Sequence, residues 1–172
     1  MAALIGLQIG LGLAGADLPL GMSKLATLAR HKSLGLTILA LALIRLAWRA
    51  LNPTPALPGA LKAYERRLAL ATHAALYALL IALPVTGWIM SSARGFPVSW
   101  FNLVQLPNLV APSPALYHSM VLTHIVLASA LGLILILHIG AAIRHHFVLH
   151  DDVLRRMLPA LRTHPGVMDD RH

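Results

Sequence analysis

The residues best suited to chemistry in this chain are its ten histidines, which stand against six acidic residues and no cysteine. His124 and His138 lie in one long apolar run and are fourteen residues apart. Fourteen residues make nearly four helical turns, so both side chains leave the same face, about 21 Å apart along the axis. Neutral imidazole is a strong axial ligand for haem iron. The spacing therefore predicts two haem groups at different depths of a bilayer core about 30 Å thick.

Each haem is expected to take a second imidazole from another helix. His31 lies near the start of another apolar run, at a depth similar to that of His124, so we expect these two to share one haem. Arg30 and Lys32 flank His31 and are candidate partners of haem propionates. Arg45 follows His31 by fourteen residues, on the same helical face, and is a third candidate. The alternatives are interhelical hydrogen bonds for the histidines, basic side chains that reach the membrane surface, and a topology signal at Arg45.

Further histidines lie at the other ends of the apolar runs. His73 begins one run, and His145 and His146 follow His138 closely. Quinone reduction takes up protons and histidine titrates near neutral pH, so His73 and His145 are candidates for a quinone-headgroup pocket. Polar residues that face lipid headgroups are the alternative. A zinc site of His145, His146 and His150 would lack an evident fourth ligand.

The elements that must position these histidines are membrane helices. The chain is 58% hydrophobic and only 12% charged, whereas a soluble domain has about 25% charged residues. Its apolar runs predict an all-α membrane protein, a bundle of four transmembrane helices forming a single domain over residues 1–172. The four runs cover residues 1–16, 33–48, 68–91 and 116–148, and residues 25–28 extend the second run at its start. The missing cysteines exclude disulfides, iron–sulfur clusters and covalently attached haem.

The charged residues orient these helices. Basic clusters follow the second and fourth runs, so by the positive-inside rule both clusters and both termini face the cytoplasm. Nucleic-acid binding explains the net charge of +8 less well, because the charges lie where helices leave a membrane. The first run is shorter than the roughly 20 residues that a span needs. A signal peptide is the alternative, but the run has no basic start. We expect instead that the chain starts late and lacks residues of its first span.

These residues resemble the bacterial cytochrome b561 family, and the likeness covers almost the whole chain. The matching features are Leu-Ala-Arg-His-Lys at 28–32, Arg-Leu at 45–46 with Asn-Pro-Thr-Pro at 52–55, His73-x-x-x-Tyr77, Ala-Leu-Pro-Val-x-Gly at 82–87, His124, His138, His-His-Phe at 145–147 and Leu-Arg-Arg-Met-Leu-Pro at 154–159. The resemblance implies haem ligation by His31 with His124. It also implies ligation by His138 with a first-span histidine that this sequence lacks.

The resemblance further implies a function in the bacterial inner membrane. The expected protein carries two haem b groups and passes electrons from a periplasmic-side donor to ubiquinone, with His145 at the quinone site. Some family members resemble superoxide oxidases, and the outer basic residues Arg30, Lys32 and Arg94 are able to attract a small anion. Such a protein would be a quinone-linked oxidoreductase that contacts membrane lipid, quinone and a redox partner protein, and no nucleic acid. The alternatives are a haem-bearing anchor subunit of a dehydrogenase or hydrogenase, and a haemless transporter.

Overall fold

Helices make up nearly all of the secondary structure of the described residues. The computed structural model of the chain describes residues 1–52 and 63–147, apart from the side chains of residues 145 and 146. This part of the chain forms α1 (Ala2–Asp17), α2 (Met22–Leu51), α3 (Ala63–Ala93) and α4 (Pro114–Phe147). The prediction of a helical protein is confirmed. The sequence did not predict the small antiparallel hairpin between α3 and α4, formed by β1 (Ser99–Trp100) and β2 (Val104–Gln105).

Three helices among the described residues are long and apolar enough to cross a membrane. They are α2, α3 and the segment Pro114–Arg144 of α4, whose most apolar windows have mean hydropathies of 1.8, 2.0 and 2.5. Helix α1 is also apolar, but it has 16 residues, fewer than the roughly 20 that span a bilayer. The chain is therefore a multi-pass helical membrane protein with a shorter apolar helix at the start of its described part.

Helix α2 begins at Met22, three residues before the extension at 25–28 that was predicted for the run from residue 33. Its first turns contain Lys24, Arg30 and Lys32 between apolar residues, so hydropathy reveals these turns only in part. His31 consequently lies nine residues beyond Met22, about 14 Å along the axis. It is an interior residue of α2 rather than a residue at its start.

The end of α3 turns the chain toward the hairpin. The Gly95 N–H donates to the Ser92 carbonyl at 2.8 Å, and the Phe96 N–H donates to the Ser91 carbonyl at 3.0 Å. Gly95 has φ +81°, so this pair of hydrogen bonds forms a Schellman motif, which satisfies the last carbonyls of a helix. The segment that follows is thereby directed back across the end of α2.

The hairpin packs against α2 through polar contacts. The Phe101 N–H donates to Ser33 Oγ at 3.0 Å, and the Trp100 Nε1–H donates to Thr37 Oγ1 at 3.0 Å. Ser33 is only 3% exposed. Phe101 and Asn102 make the tight turn between the strands, with φ of 48° and 58°. The hairpin therefore covers α2 within two turns of His31.

The chain divides into two compact units, Met1–Leu131 and Gly132–His172. In the first unit, α2 packs against α1, α3 and β1. The buried side chains of this unit are small or aliphatic: Ile5, Ser33, Leu34, Ile38, Ala42, Leu79, Ser91, Ser92, Ala93, Val98 and Leu131. Small residues allow close approach of helices in membranes, where apolar burial gives little drive for association. The described part of the second unit is the remainder of α4.

Candidate functional site

His31 is held on α2 by a residue of α1. The His31 Nδ1 is 3.1 Å from the main-chain carbonyl oxygen of Gln8. The His31 Nε2 is 3.3 Å from the side-chain amide nitrogen of Gln8. A carbonyl oxygen only accepts hydrogen bonds, so Nδ1 carries the proton. The Nε2 of the neutral ring then bears the lone pair, toward which the Gln8 amide can donate. Gln8 thus selects the tautomer that leaves Nε2 able to bind a metal.

His124 is held on α4 by a residue of α3. The Thr86 hydroxyl is 3.0 Å from His124 Nδ1 and donates to the Leu83 carbonyl at 2.9 Å. With the single hydroxyl hydrogen of Thr86 directed at the Leu83 carbonyl, Thr86 accepts the hydrogen bond from Nδ1. His124 therefore has the same tautomer as His31, with the lone pair on Nε2. Two different helices hold the two histidines in the same chemical form.

The two imidazole rings lie close together between α2 and α4. Their centroids are 6.3 Å apart and their planes meet at 74°. Two imidazoles that would hold one metal ion between them, each through a ring nitrogen at about 2 Å, would have ring centroids about 6 Å apart. Both rings are half-buried. The spacing and the shared tautomer fit a pair of axial ligands to a haem iron.

A glycine of a neighbouring helix lies beside each ring. A Cβ atom added at Gly12 of α1 would lie 3.0 Å from His31 Cε1, and one at Gly87 of α3 would lie 3.4 Å from His124 Cε1. A side chain at Gly12 would press against the His31 ring, which would have to shift by a few tenths of an ångström. These glycines keep the space around the two imidazoles free of side chains.

The side-chain amide of Gln8 lies beside the His31 ring. Its Oε1 is buried and has no hydrogen-bond partner among the described residues, and its nitrogen lies at the His31 Nε2. A buried polar atom without a partner is costly, and such atoms commonly mark the place of a further polar group. The Gln8 side chain rotates about three bonds and is able to move from Nε2 when a metal binds there. The residues present therefore fit a haem group.

Basic residues lie near His31. Lys32 Nζ donates to Ser91 Oγ at 2.8 Å, so a neutral hydroxyl is its partner in this contact and its charge is not compensated there. Arg94, three residues beyond Ser91, donates through Nη1 to the Tyr117 hydroxyl at 2.6 Å. Arg30 of α2 is exposed. Of the cations predicted to attract an anion, Lys32 thus contacts the end of α3 and Arg94 contacts the start of α4.

A second basic group lies farther along α2. The Arg45 and Arg49 guanidinium carbons lie 5.9 and 5.7 Å from the centroid of the Tyr77 ring, within the range of cation–π attraction. Arg45 is thirteen residues beyond Lys32, which is about 20 Å along the helix. His73, one turn before Tyr77 on α3, is half-buried. The predicted quinone residue His73 and the predicted propionate partner Arg45 thus both belong to the region around Tyr77.

The remaining predicted residues belong to the second unit. His138 lies on α4. His145 lies on the same helix, and its side chain is outside the described residues, as is that of His146. His150 and the motif at 154–159 also lie outside them. The prediction of a quinone contact at His145 and the zinc alternative at His145, His146 and His150 therefore stay untested.

Sequence reasoning missed Gln8, Thr86 and Gly12, the residues that hold or border the two imidazoles. One signal was present for Gln8, since it is an uncharged polar residue in the middle of an otherwise apolar run. A polar side chain in such a run needs a partner inside the protein. For Thr86 no signal was present, because threonine in a membrane helix commonly bonds its own backbone.

The sequence is similar to known proteins over most of its length. A family model described as prokaryotic cytochrome b561 matches residues 1–160. Cytochrome b561 homolog 2 of Escherichia coli K12 is 35% identical over 140 residues, which cover 80% of this chain and 73% of that protein. The probable superoxide oxidase CybB of Yersinia pestis is 33% identical over 132 residues, covering 77% and 74%.

These similarities agree with the geometry of the site. Apolar helices, paired imidazoles in one tautomer and the absence of cysteine suit a haem that is held without covalent attachment. With the family model matching residues 1–160, the chain belongs to the prokaryotic cytochrome b561 family and is a b-type haem electron carrier of the membrane.

Proposed function

We propose that this protein carries single electrons from a donor on the periplasmic side of the bacterial inner membrane to membrane quinone. Haem b, when bound, supplies the one-electron chemistry. In this proposal His31 and His124 are the axial ligands of one haem, and His138 is a ligand of a second. The observation that carries the proposal is the 6.3 Å separation of the His31 and His124 ring centroids.

In the proposed topology α1 joins the three long helices as a fourth membrane helix. Both termini face the cytoplasm, because the basic residues after α2 and α4 then lie inside. The end of α3 and the hairpin face the periplasm, so His31 and His124 lie toward the outer surface. Arg45, His73 and Tyr77 lie toward the inner surface, where quinone would be reduced.

Different side chains would act on the outer and the inner side of the membrane. On the outer side, Lys32 and Arg94 attract a small anionic donor, and superoxide is the donor that we propose. This choice is supported by the similarity to the probable superoxide oxidase of Yersinia pestis. Arg30 and Lys32 are also able to meet haem propionates, as is Arg45 on the inner side. His73 and His145 are the proposed residues of the ubiquinone site, where a histidine can supply protons.

The haem content of purified protein tests the ligand assignment. The full chain in detergent is expected to contain haem b by the pyridine haemochrome assay. His31→Leu and His124→Leu are each expected to lose the same haem, because a single imidazole holds it weakly. His118→Leu is the matched control, since His118 is an exposed histidine of α4 whose ring contacts Tyr117. A wild-type protein without haem, or ligand variants with full haem content, would contradict the proposal.

The direction of electron flow is tested with the haem-loaded protein in vesicles. Superoxide generated outside is expected to reduce the haem, and added ubiquinone is expected to reoxidise it. Haem that superoxide fails to reduce would rule out this donor and leave the haem ligation standing. Reduced haem that ubiquinone fails to reoxidise would rule out this acceptor.

A further inference from the structure

The hydrogen bonds around His124 form a short series that runs in one direction. The Thr86 hydroxyl donates to the Leu83 carbonyl at 2.9 Å. With its hydrogen directed there, Thr86 Oγ1 is left to accept from the His124 Nδ1–H at 3.0 Å. Hydrogen bonds in series polarise one another, so the bond to the Leu83 carbonyl makes the Thr86 oxygen a stronger acceptor for the His124 Nδ1–H. The effect is to draw the Nδ1 proton away from the ring and to increase the electron density at Nε2.

We propose that Thr86 is a positioning residue for His124, which holds the ring with its Nε2 lone pair free and makes that nitrogen a stronger electron donor to haem iron. This inference rests on the proposed ligation of haem by His124. It adds a residue that belongs to a different helix, 38 positions earlier in the chain.

His31 provides a useful contrast within the same site. Its Nδ1–H donates to the main-chain carbonyl of Gln8, and a side-chain substitution does not remove a main-chain acceptor. The corresponding acceptor for His124 is the side chain of Thr86. His124 also has a hydrogen bond with the Leu83 main chain, which stays when Thr86 is replaced. The Thr86 contact is therefore the part of the hydrogen bonding at His124 that a single substitution can delete while the ligand itself stays in place.

Two consequences follow for the haem. A residue that accepts a hydrogen bond from a metal-binding histidine orients the histidine ring. Removal of that residue commonly weakens metal binding by about 10- to 100-fold. A more electron-rich imidazole also stabilises ferric over ferrous iron, so loss of the Thr86 hydroxyl should raise the midpoint potential. If the variant bound ferric haem tenfold more weakly and ferrous haem equally well, the midpoint potential would rise by about 59 mV.

The test replaces the Thr86 hydroxyl in the full-length haem-loaded protein. Thr86→Val keeps the branched shape and removes the acceptor, and Thr86→Ser keeps the acceptor. Haem transfer from Thr86→Val to excess apomyoglobin is expected to be about 10- to 100-fold faster than from the wild type. The midpoint potential of the haem assigned to His31 and His124, which is the haem lost in His31→Leu, is expected to rise. Thr86→Ser is expected to restore both quantities to within about twofold and a few millivolts of the wild type.

Thr123→Val is the matched control. Thr123 precedes His124 on α4, and its hydroxyl donates to the Ser119 carbonyl at 2.9 Å, so this variant removes a similar hydroxyl that does not hold the ring. It is expected to leave haem transfer and potential unchanged. If Thr86→Val does not accumulate, Thr86→Ala carries the same expectation.

The outcomes separate this inference from the proposed function. Wild-type protein without haem would contradict the proposed function itself. Wild-type haem content with an unchanged potential and transfer rate in the Thr86→Val or Thr86→Ala protein would overturn only the role of Thr86. Equal shifts in Thr86→Val and Thr86→Ser would also overturn it, because packing rather than the hydroxyl would then be responsible.

Discussion

The imidazole rings of His31 and His124 lie in a T-shaped arrangement at a centroid distance of 6.3 Å, with their planes 74° apart. Neither ring is positioned by its own helix alone. Gln8 of α1 contacts the ring on α2, and Thr86 of α3 contacts the ring on α4. Four helices therefore contribute to one pair of histidines, and changes in any of them are expected to alter the site.

Gly12→Ala is expected to weaken haem retention, because the added Cβ would lie 3.0 Å from His31 Cε1. The ring must then shift or α1 must move away from α2. Gly10→Ala is the control, since a Cβ at Gly10 has no neighbour within 4 Å. Both changes replace glycine by alanine in α1, which favours the helix by about 1 kcal/mol in either case. Equal haem loss in dialysis from the two variants would contradict the close contact with His31.

Lys32→Gln is expected to slow reduction of the haem by superoxide by about two- to fivefold at low ionic strength. Lys32 donates to the neutral Ser91 hydroxyl, so its positive charge remains to attract an anion. The rate should also become less sensitive to salt, because fewer charges are left to be screened. Stopped-flow absorbance over a range of salt concentrations measures both effects.

The matched control for Lys32 is Arg66→Gln, which removes one positive charge at an exposed position near the start of α3. Its effect on the superoxide rate should be small. Equal slowing in both variants would mean that net charge, rather than the position of Lys32, determines the rate.

Tyr77→Leu is expected to destabilise the protein by about 1 kcal/mol, because Arg45 and Arg49 both lie within 6 Å of the Tyr77 ring centroid. Thermal unfolding in detergent should then show a midpoint lower by roughly 2–4 °C. Tyr77→Phe keeps the ring face and should remain close to the wild type. If the two variants unfold at the same lowered temperature, the hydroxyl rather than the cation–π contact stabilises this region.

Ser33→Ala is expected to loosen the hairpin from α2. The Ser33 Oγ accepts from the Phe101 N–H at 3.0 Å and is 3.1 Å from the Ser99 carbonyl. Loss of these contacts should speed hydrogen exchange of the Phe101 amide by about tenfold. Mass spectrometry of peptides from the hairpin measures the change. Ser129→Ala, which removes a hydroxyl that bonds to the Ile125 carbonyl, should leave hairpin exchange unaltered.

Much of the fold could be predicted from hydropathy. Apolar runs of sufficient length must be helical in a bilayer, because every backbone polar group then finds its partner within the run. The helices α1, α3 and α4 agree with their predicted runs to within a few residues at most ends. The start of α2 lies three residues before the predicted extension at 25–28, and its first turns mix basic and apolar residues, which weakens their hydropathy signal.

The candidate histidines could also be selected from the sequence, because an ionisable residue in an apolar run is costly and so usually functional. The family resemblance is confirmed by the match over residues 1–160. The ligation of haem by His31, His124 and His138, the propionate partners and the quinone residues stay predictions. The structure adds the distance between the His31 and His124 rings.

What the sequence by itself determined, then, is the helical membrane fold, the family and a short set of histidines that suit haem. Only the tertiary structure decided which residues contact the rings of His31 and His124. The contacts of Gln8 with His31 and of Thr86 with His124 join positions 23 and 38 residues apart. Helical periodicity is local and relates residues a few turns apart on one helix, whereas these contacts depend on how neighbouring helices pack against each other.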